Sequence, residues 1–407
     1  MTSQTIDLHS AITALSCALD LVGYDEIKHG KRVAIMAFHI ANHLGWPYDE
    51  CLSIMHSGML HDCGVAQMQE RHNILNALEW AGAEAHAIRG AQYLQQCPPL
   101  AQFAEEVRYH HTRWEQLLTL PVSDRVRLRA NLLFLVDRVD MLLVPYLNTE
   151  RVLTACTDIL AQLQDCAATL FSPHLLDALT VVGKSEAFWL AMEPDYLDED
   201  LRSLGKDVAP VSLDFQAQRE LARLFSRVVD AKSHYTELHS ERVAAIARQL
   251  AQDFGIAGAE LEQVEIAGLL HDLGKLRVSE NIIDKPGKLT PDERASMQRH
   301  SYDTYRILQR VFSQSKIPLW AGFHHENLRG EGYPFKTASA SQDLECRIIT
   351  VADIFQALIQ TRPYRRSMPL PEALQELERR VAAGELDAEV VERLKLNAES
   401  YYRLANG

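Results

Sequence analysis

Gly268-Leu-Leu-His271-Asp272-Leu-Gly274 repeats, in pattern, an earlier stretch of the same chain, Gly58-Met-Leu-His61-Asp62-Cys-Gly64. Each His-Asp pair follows another histidine by 32 residues, His239 in one case and His29 in the other. The register then runs on: His86 matches His300, His110-His111 matches His324-His325, and Asp137 matches Asp353. The offset is 210 at the start, then 214, then 216, so small insertions in the second copy account for the drift. Ten of the 17 histidines fall into this scheme, which marks an internal duplication whose shared residues are metal ligands.

With 407 residues, the chain divides naturally into two domains of roughly 200 each. Apolar residues recur at helical spacing, as from Val243 to Ala251, and strand-like alternation is almost absent. The expected fold is all-α: two tandem helical bundles joined by a short linker. The first bundle spans 1–195, the acidic stretch 196–212 is the linker, and the second bundle spans 213–407. Helix stops are legible at Asn42 to Pro47 and at Asp253 to Gly255, and a helix is expected from Leu213 to Asp230. Asn327 to Ala340, with two glycines and a proline, is a loop that the first half lacks.

A net charge of −14 argues against a DNA, RNA or membrane-surface binder, so an anionic substrate must meet a locally positive site. The seven cysteines show no CxxC pair and fit reduced thiols. No signal-peptide layout and no apolar run of about 18 residues is present, so a cytoplasmic protein is expected.

Imidazoles and carboxylates together suit borderline metals, and five histidines with two aspartates exceed what one ion takes from protein. Two ions are implied. One aspartate beside a histidine can bridge them, and a hydroxide held between them is a nucleophile for a phosphoester. Neighbouring histidines such as His324 and His325 would point about 100° apart on a helix, which gives each a different ion to serve. His9, His43, His56, His72 and His174 stand outside the register and read as packed or surface residues.

In the second half, His239-Ser-Glu-Arg-Val, His271-Asp272-Leu-Gly-Lys275, His300, His324-His325-Glu326, Gly332-Tyr333-Pro334 and Asp353 through Arg362-Pro363-Tyr364-Arg365 closely resemble the HD-GYP phosphodiesterases. That family hydrolyses cyclic dinucleotides, chiefly cyclic di-GMP and in some members 3′3′-cyclic GMP-AMP. The resemblance implies two HD-superfamily bundles with the catalytic one second, acting through a metal-bridging hydroxide to give the linear dinucleotide. It assigns His239, His271, Asp272 and Asp353 to one ion and Asp272, His300, His324 and His325 to the other. Iron or manganese is the expected pair, with nickel, cobalt, zinc and magnesium as alternatives. Lys275 would stabilise charge at the scissile phosphate, with Asp272 and Lys275 as the catalytic residues. Tyr333, Arg362 and Arg365 would contact substrate, the arginines as phosphate clamps. A homodimer, and a diguanylate cyclase or other signalling partner at the GlyTyrPro loop, complete the expectation.

Departures from the family pattern are Ser233, Arg329 and Gln356 at positions that usually carry aspartate. Tyr235 replaces the glutamate of members with a third metal. The first half reads as a degenerate copy: Asp25, His29, His61, Asp62, His86, His110, His111 and Asp137 form a second metal site. There, however, Val65, Val144 and Leu147 replace Lys275, Arg362 and Arg365. A regulatory or dimer-forming unit with little activity is expected. The rivals are a non-catalytic cyclic dinucleotide receptor and an HD-type hydrolase of guanosine tetraphosphate or nucleotides.

Overall fold

The computed structural model describes residues 6–21, 28–65, 67, 70, 78–80, 82–206, 211–233, 238–338, 341–361 and 367–406. The chain forms two compact units, Asp7–Val211 and Ser212–Gly407, the latter with Met1–Ile6. Among the described residues both are helical, and the only strands are the two-residue pieces Ile6–Asp7 and Ser212–Leu213. No described helix is long and apolar enough to cross a membrane.

The first unit places its ligands with four helices: α1 (His29–His43), α2 (Tyr48–Leu60), α3 (Ala83–Gln95) and α4 (Asp124–Leu143). In the second unit α5 (Phe215–Asp230) leads in, followed by α6 (His239–Asp253), α7 (Gly258–Leu270), α8 (Pro291–Val311) and α9 (Leu344–Ile359). The repeat register therefore holds element by element. Asp214 caps α5 through Ala217 N at 2.8 Å, so the helix begins at Phe215, close to the expected start. The expected stops after α1 and α6 are made by Gly45 and Gly255, both left-handed (φ 75° and 83°). A capping box between Thr290 and Glu293 starts α8.

Two glycines of the repeated phrase explain why it is kept. A methyl group on Gly268 would lie 2.9 Å from Ala244 Cα, and one on Gly58 would lie 2.8 Å from Ala34 Cα. Close crossing of α7 on α6, and of α2 on α1, therefore requires glycine in both units. The second glycine is tighter still: a Cβ on Gly274 would sit 2.1 Å from His300 O, and one on Gly64 would sit 2.0 Å from His86 O. Each lets the turn after the His-Asp pair lie against the backbone that carries the next ligand. Thr304 pins this contact in the second unit, accepting from Gly274 N at 2.9 Å and donating to His271 O at 3.1 Å.

Within the stretch expected as linker, Leu197–Leu204 is a helix belonging to the first unit. Leu197 and Leu201, one turn apart, are buried, and Asp198 accepts from the buried Lys31 at 2.6 Å. The acidic composition had masked this amphipathic pattern.

Gly274→Ala and Gly268→Ala should each destabilise the chain by about 1–3 kcal/mol or more through overpacking. Gly287→Ala, where the new methyl would meet nothing within 4 Å, should stay within about 0.5 kcal/mol. Urea-unfolding midpoints of the three variants check this; equal midpoints would sink the close-packing account.

Candidate metal centres

His239 is the first residue of α6, and it is entered through Leu238, a left-handed non-glycine residue (φ 59°). His29 is entered in the same way through Lys28 (φ 81°). His271 ends α7, Asp272 follows in the turn, His300 lies midway along α8, and Asp353 lies on α9. His324 and His325 are not on a helix. They sit in the turn after Ile317–Gly322, with ring centroids 4.0 Å apart, and both join His300 in one cluster. The turn, rather than a 100° helical step, brings both rings to one side.

Asp272 is the hinge of the site. Its Oδ2 lies 3.3 Å from His271 Nε2 and 3.8 Å from His239 Nε2, and its Oδ1 lies 3.4 Å from His300 Nε2 and 3.7 Å from His324 Nε2. Asp353 Oδ1 closes the first group at 3.2 Å from His239 Nε2 and 3.8 Å from His271 Nε2. One carboxylate thus shows one oxygen to each of two ligand groups, His239/His271/Asp353 and His300/His324/His325.

These residues fit metal ions. Ligand atoms each about 2.1 Å from a shared ion stand roughly 3.0–3.4 Å apart, close to the separations seen. His300 Nδ1 donates to Met297 O at 2.5 Å and His324 Nδ1 to Ala321 O at 2.7 Å, which leaves their Nε2 atoms bare and 3.2 Å apart. Two facing lone pairs need a cation between them. His271 Nε2 and Asp272 Oδ1 are buried without a hydrogen-bond partner, and His271 Nδ1 is already given to Gly268 O at 2.7 Å.

In the group His300/His324/His325, protonation agrees with ligand readiness. Burial lowers His300 to about 4 and, with His300 beside it, His325 to about 3; burial and neighbouring rings hold His324 well below its ordinary value. Burial would raise Asp272, but Lys275 and His271 keep it well below the usual carboxylate range. Burial opposes charge on His271 too, yet Asp272 outweighs it and lifts the imidazole to about 9.

Lys275 Nζ lies 2.5 Å from Asp272 Oδ2 and lines a cavity of about 670 Å³, a volume suited to a small ligand. His300, His325, Tyr333 and Asp353 line the same cavity. Tyr333 packs its ring 4.7 Å from that of His325. Its loop is folded back by Glu326, whose carboxylate accepts from Phe335, Lys336 and Thr337 N at 2.6–3.1 Å. Glu326 was quoted in the sequence with no role; three successive amides on one buried carboxylate show what it does. Arg362, Arg365, Tyr235 and Asp25 lie outside the described residues.

Three outer contacts were not legible. Gln356 donates to Ala405 O at 3.2 Å, away from the site, while Gln360 accepts from His239 Nδ1 at 3.1 Å. Asp230 accepts from Ser240 N and Oγ at 3.1 and 3.0 Å, beside the first turn of α6. All three depend on packing that brings separate segments of the chain together.

The first unit repeats the ligand groups, but there His61 lies on the same Asp62 oxygen as His86 and His110. Asp62 Oδ1 lies 3.4 Å from both His61 and His86 Nε2 and 4.0 Å from His110 Nε2, while its Oδ2 lies 3.7 Å from His29 Nε2. His29 Nε2 is 3.5 Å from Asp137 Oδ1. The groups His29/His61/Asp137 and His86/His110/His111 match those of the second unit. Asp140 is retained: it accepts from His29 Nδ1 at 2.6 Å and is held by Arg32 at 2.5 and 3.0 Å. Val65, in the place of Lys275, is buried and apolar.

The HD domain family matches residues 223–390 and, separately, 27–142. Over 98% of this chain and 94% of its own length, the 3′3′-cGAMP-specific phosphodiesterase 1 of Vibrio cholerae is 37% identical. A cyclic di-GMP phosphodiesterase of Thermotoga maritima is 35% identical over 44% of this chain and 49% of its own. Among solved structures, a cyclic GMP-AMP-specific phosphodiesterase of Vibrio cholerae superposes with a TM-score of 0.65 at 23% identity, covering 97% of this chain and 98% of that one, a likeness of fold. With its ligand groups repeated in both units and the Vibrio cholerae phosphodiesterase 1 aligned nearly end to end, the chain belongs to the HD-GYP phosphodiesterases, with two HD domains in tandem.

Proposed function

We propose that the second unit hydrolyses a cyclic dinucleotide to the linear dinucleotide, with two divalent ions, iron or manganese, at its centre. The observation that carries this reading is the Asp272 carboxylate turned to two ligand groups whose members His300, His324, His325 and Asp353 line a cavity together with Lys275. Bound there, the ions would supply a hydroxide at neutral pH and neutralise phosphate charge. Asp272 holds the two positions at a fixed separation. Lys275, released from Asp272 toward the cavity, offsets charge developing on the phosphate or the departing 3′ oxygen. Tyr333, stacked on His325, gives a wall against which a base or ribose can lie.

Alignment over nearly the whole length with a 3′3′-cGAMP-specific relative supports 3′3′-cyclic GMP-AMP ahead of cyclic di-GMP as substrate. The first unit serves as a metal-binding, regulatory or dimer-forming partner domain with little turnover of its own. The absence of a cation at Val65, Val144 and Leu147 supports that division.

Protein purified anaerobically with iron or manganese should convert 3′3′-cyclic GMP-AMP to a linear dinucleotide in a chromatographic assay. Binding of both nucleotides without cleavage would instead identify a receptor. Asp272→Ala should lower turnover by about 10³-fold or more, the scale of several kcal/mol that metal-assisted chemistry supplies. Lys275→Met should cost about 10²–10³-fold in kcat at unchanged metal content; a KM effect alone would refute its placement at the developing charge. Asp62→Ala should leave turnover within a few-fold of wild type, and a collapse without unfolding would make the first unit a second active site.

A further inference from the structure

Arg138 stands where the second unit has Ile354. Ile354 lines the substrate cavity. Arg138 is 1% exposed and places Nη2 2.7 Å from Asp137 Oδ2, the oxygen that also faces His111 Nε2 at 3.8 Å. Its guanidinium lies 6.0 Å from the Phe134 ring centroid, with Nη1 3.6 Å from Met141 Sδ. The ligands beside these positions differ: the Asp353 side chain keeps 10% exposure and lines the cavity, whereas the Asp137 side chain is 1% exposed, while the Asp62 side chain keeps 8% against 4% for Asp272.

A guanidinium stays charged at any physiological pH and does not readily leave a buried carboxylate, because separation strands an uncompensated buried charge. Lys275 differs in kind, since its ammonium touches Asp272 from the cavity and has water and substrate to swing toward. Catalytic metal sites keep a position open to the reactant, and structural ones are closed by protein.

We infer that Arg138 is a lock: by covering Asp137 where the second unit is open, it makes the first HD centre a closed, slowly exchanging metal site that excludes phosphoester substrates. This rests on the reading that the first unit binds metal at all, and the two can fail separately.

The test uses the full chain loaded with manganese and exposed to EDTA, with retained metal measured over time. Wild type should release its metal in two phases, a fast one from the second centre and one at least tenfold slower from the first. Asp62→Ala should remove the slow phase, and Arg138→Ile should bring it up to the fast rate without lowering the initial metal content. Arg138→Lys, which keeps the charge but loses the fork, should fall between the two and serves if the isoleucine variant does not fold. Metal content unchanged by Asp62→Ala would overturn the metal-site reading itself. Asp62-dependent metal that leaves quickly in wild type, or slowly despite Arg138→Ile, would overturn the lock and leave that reading standing.

Discussion

Bare imidazole nitrogens aimed at one another inside a protein repel, and a fold that holds them so must be built around a cation. In the second unit His300 and His324 have given their Nδ1 protons to backbone carbonyls three residues earlier, so their Nε2 atoms meet at 3.2 Å with only lone pairs between them. Asp272 and Asp353, both buried, add carboxylate charge to the same space. Much of the surrounding architecture serves this arrangement. The glycines at 268 and 274 let backbone approach backbone, Thr304 ties the turn to α8, and Glu326 folds the loop that carries Tyr333 against His325.

Duplication gave the chain two such arrangements, and the two then diverged around the ligands. What differs is where positive charge lies. In the second unit Lys275 reaches the Asp272 carboxylate from a cavity; in the first, Val65 is apolar at that position and a cation lies inside instead, as Arg138 on Asp137. A cation at the mouth of a site recruits an anion, while one buried against a ligand occupies the space an anion would need. The same charge type thus lies at a cavity in one unit and against a buried ligand in the other.

The helical class was legible in the apolar periodicity and the tandem arrangement in histidines whose spacing survived a half-chain, while the division of the ligands into two groups followed from the family resemblance. The two glycines were quoted in the phrase without a reason; their necessity appears only when α6 and α7, or the turn and α8, are brought together. Reading His324-His325 on a helix failed because a histidine pair has no periodicity of its own and Phe323, with Gly322 before it, ends the helix first. The helix Leu197–Leu204 was hidden by its five charged or polar residues, although Leu197 and Leu201 carry its packing. Arg138 was invisible for a different cause: beside an aspartate on a helix it reads as an ordinary surface pair, and only burial shows that it faces the ligands.

Outer contacts sharpen the difference between the centres. His29 donates to Asp140, a carboxylate fixed by Arg32, whereas His239 donates to the neutral amide oxygen of Gln360. A carboxylate partner makes an imidazole more basic and a stronger donor to an ion. A neutral amide leaves the ligand weaker, and an ion held by weaker donors keeps more of its pull on oxygen. Loss of the carboxylate at Gln356 therefore need not count against catalysis in the second unit. On the proposed division, tight holding would belong with the first centre and electrophilic strength with the second, so the exchange of one aspartate for glutamine runs in the same direction as the placement of Lys275 and Arg138.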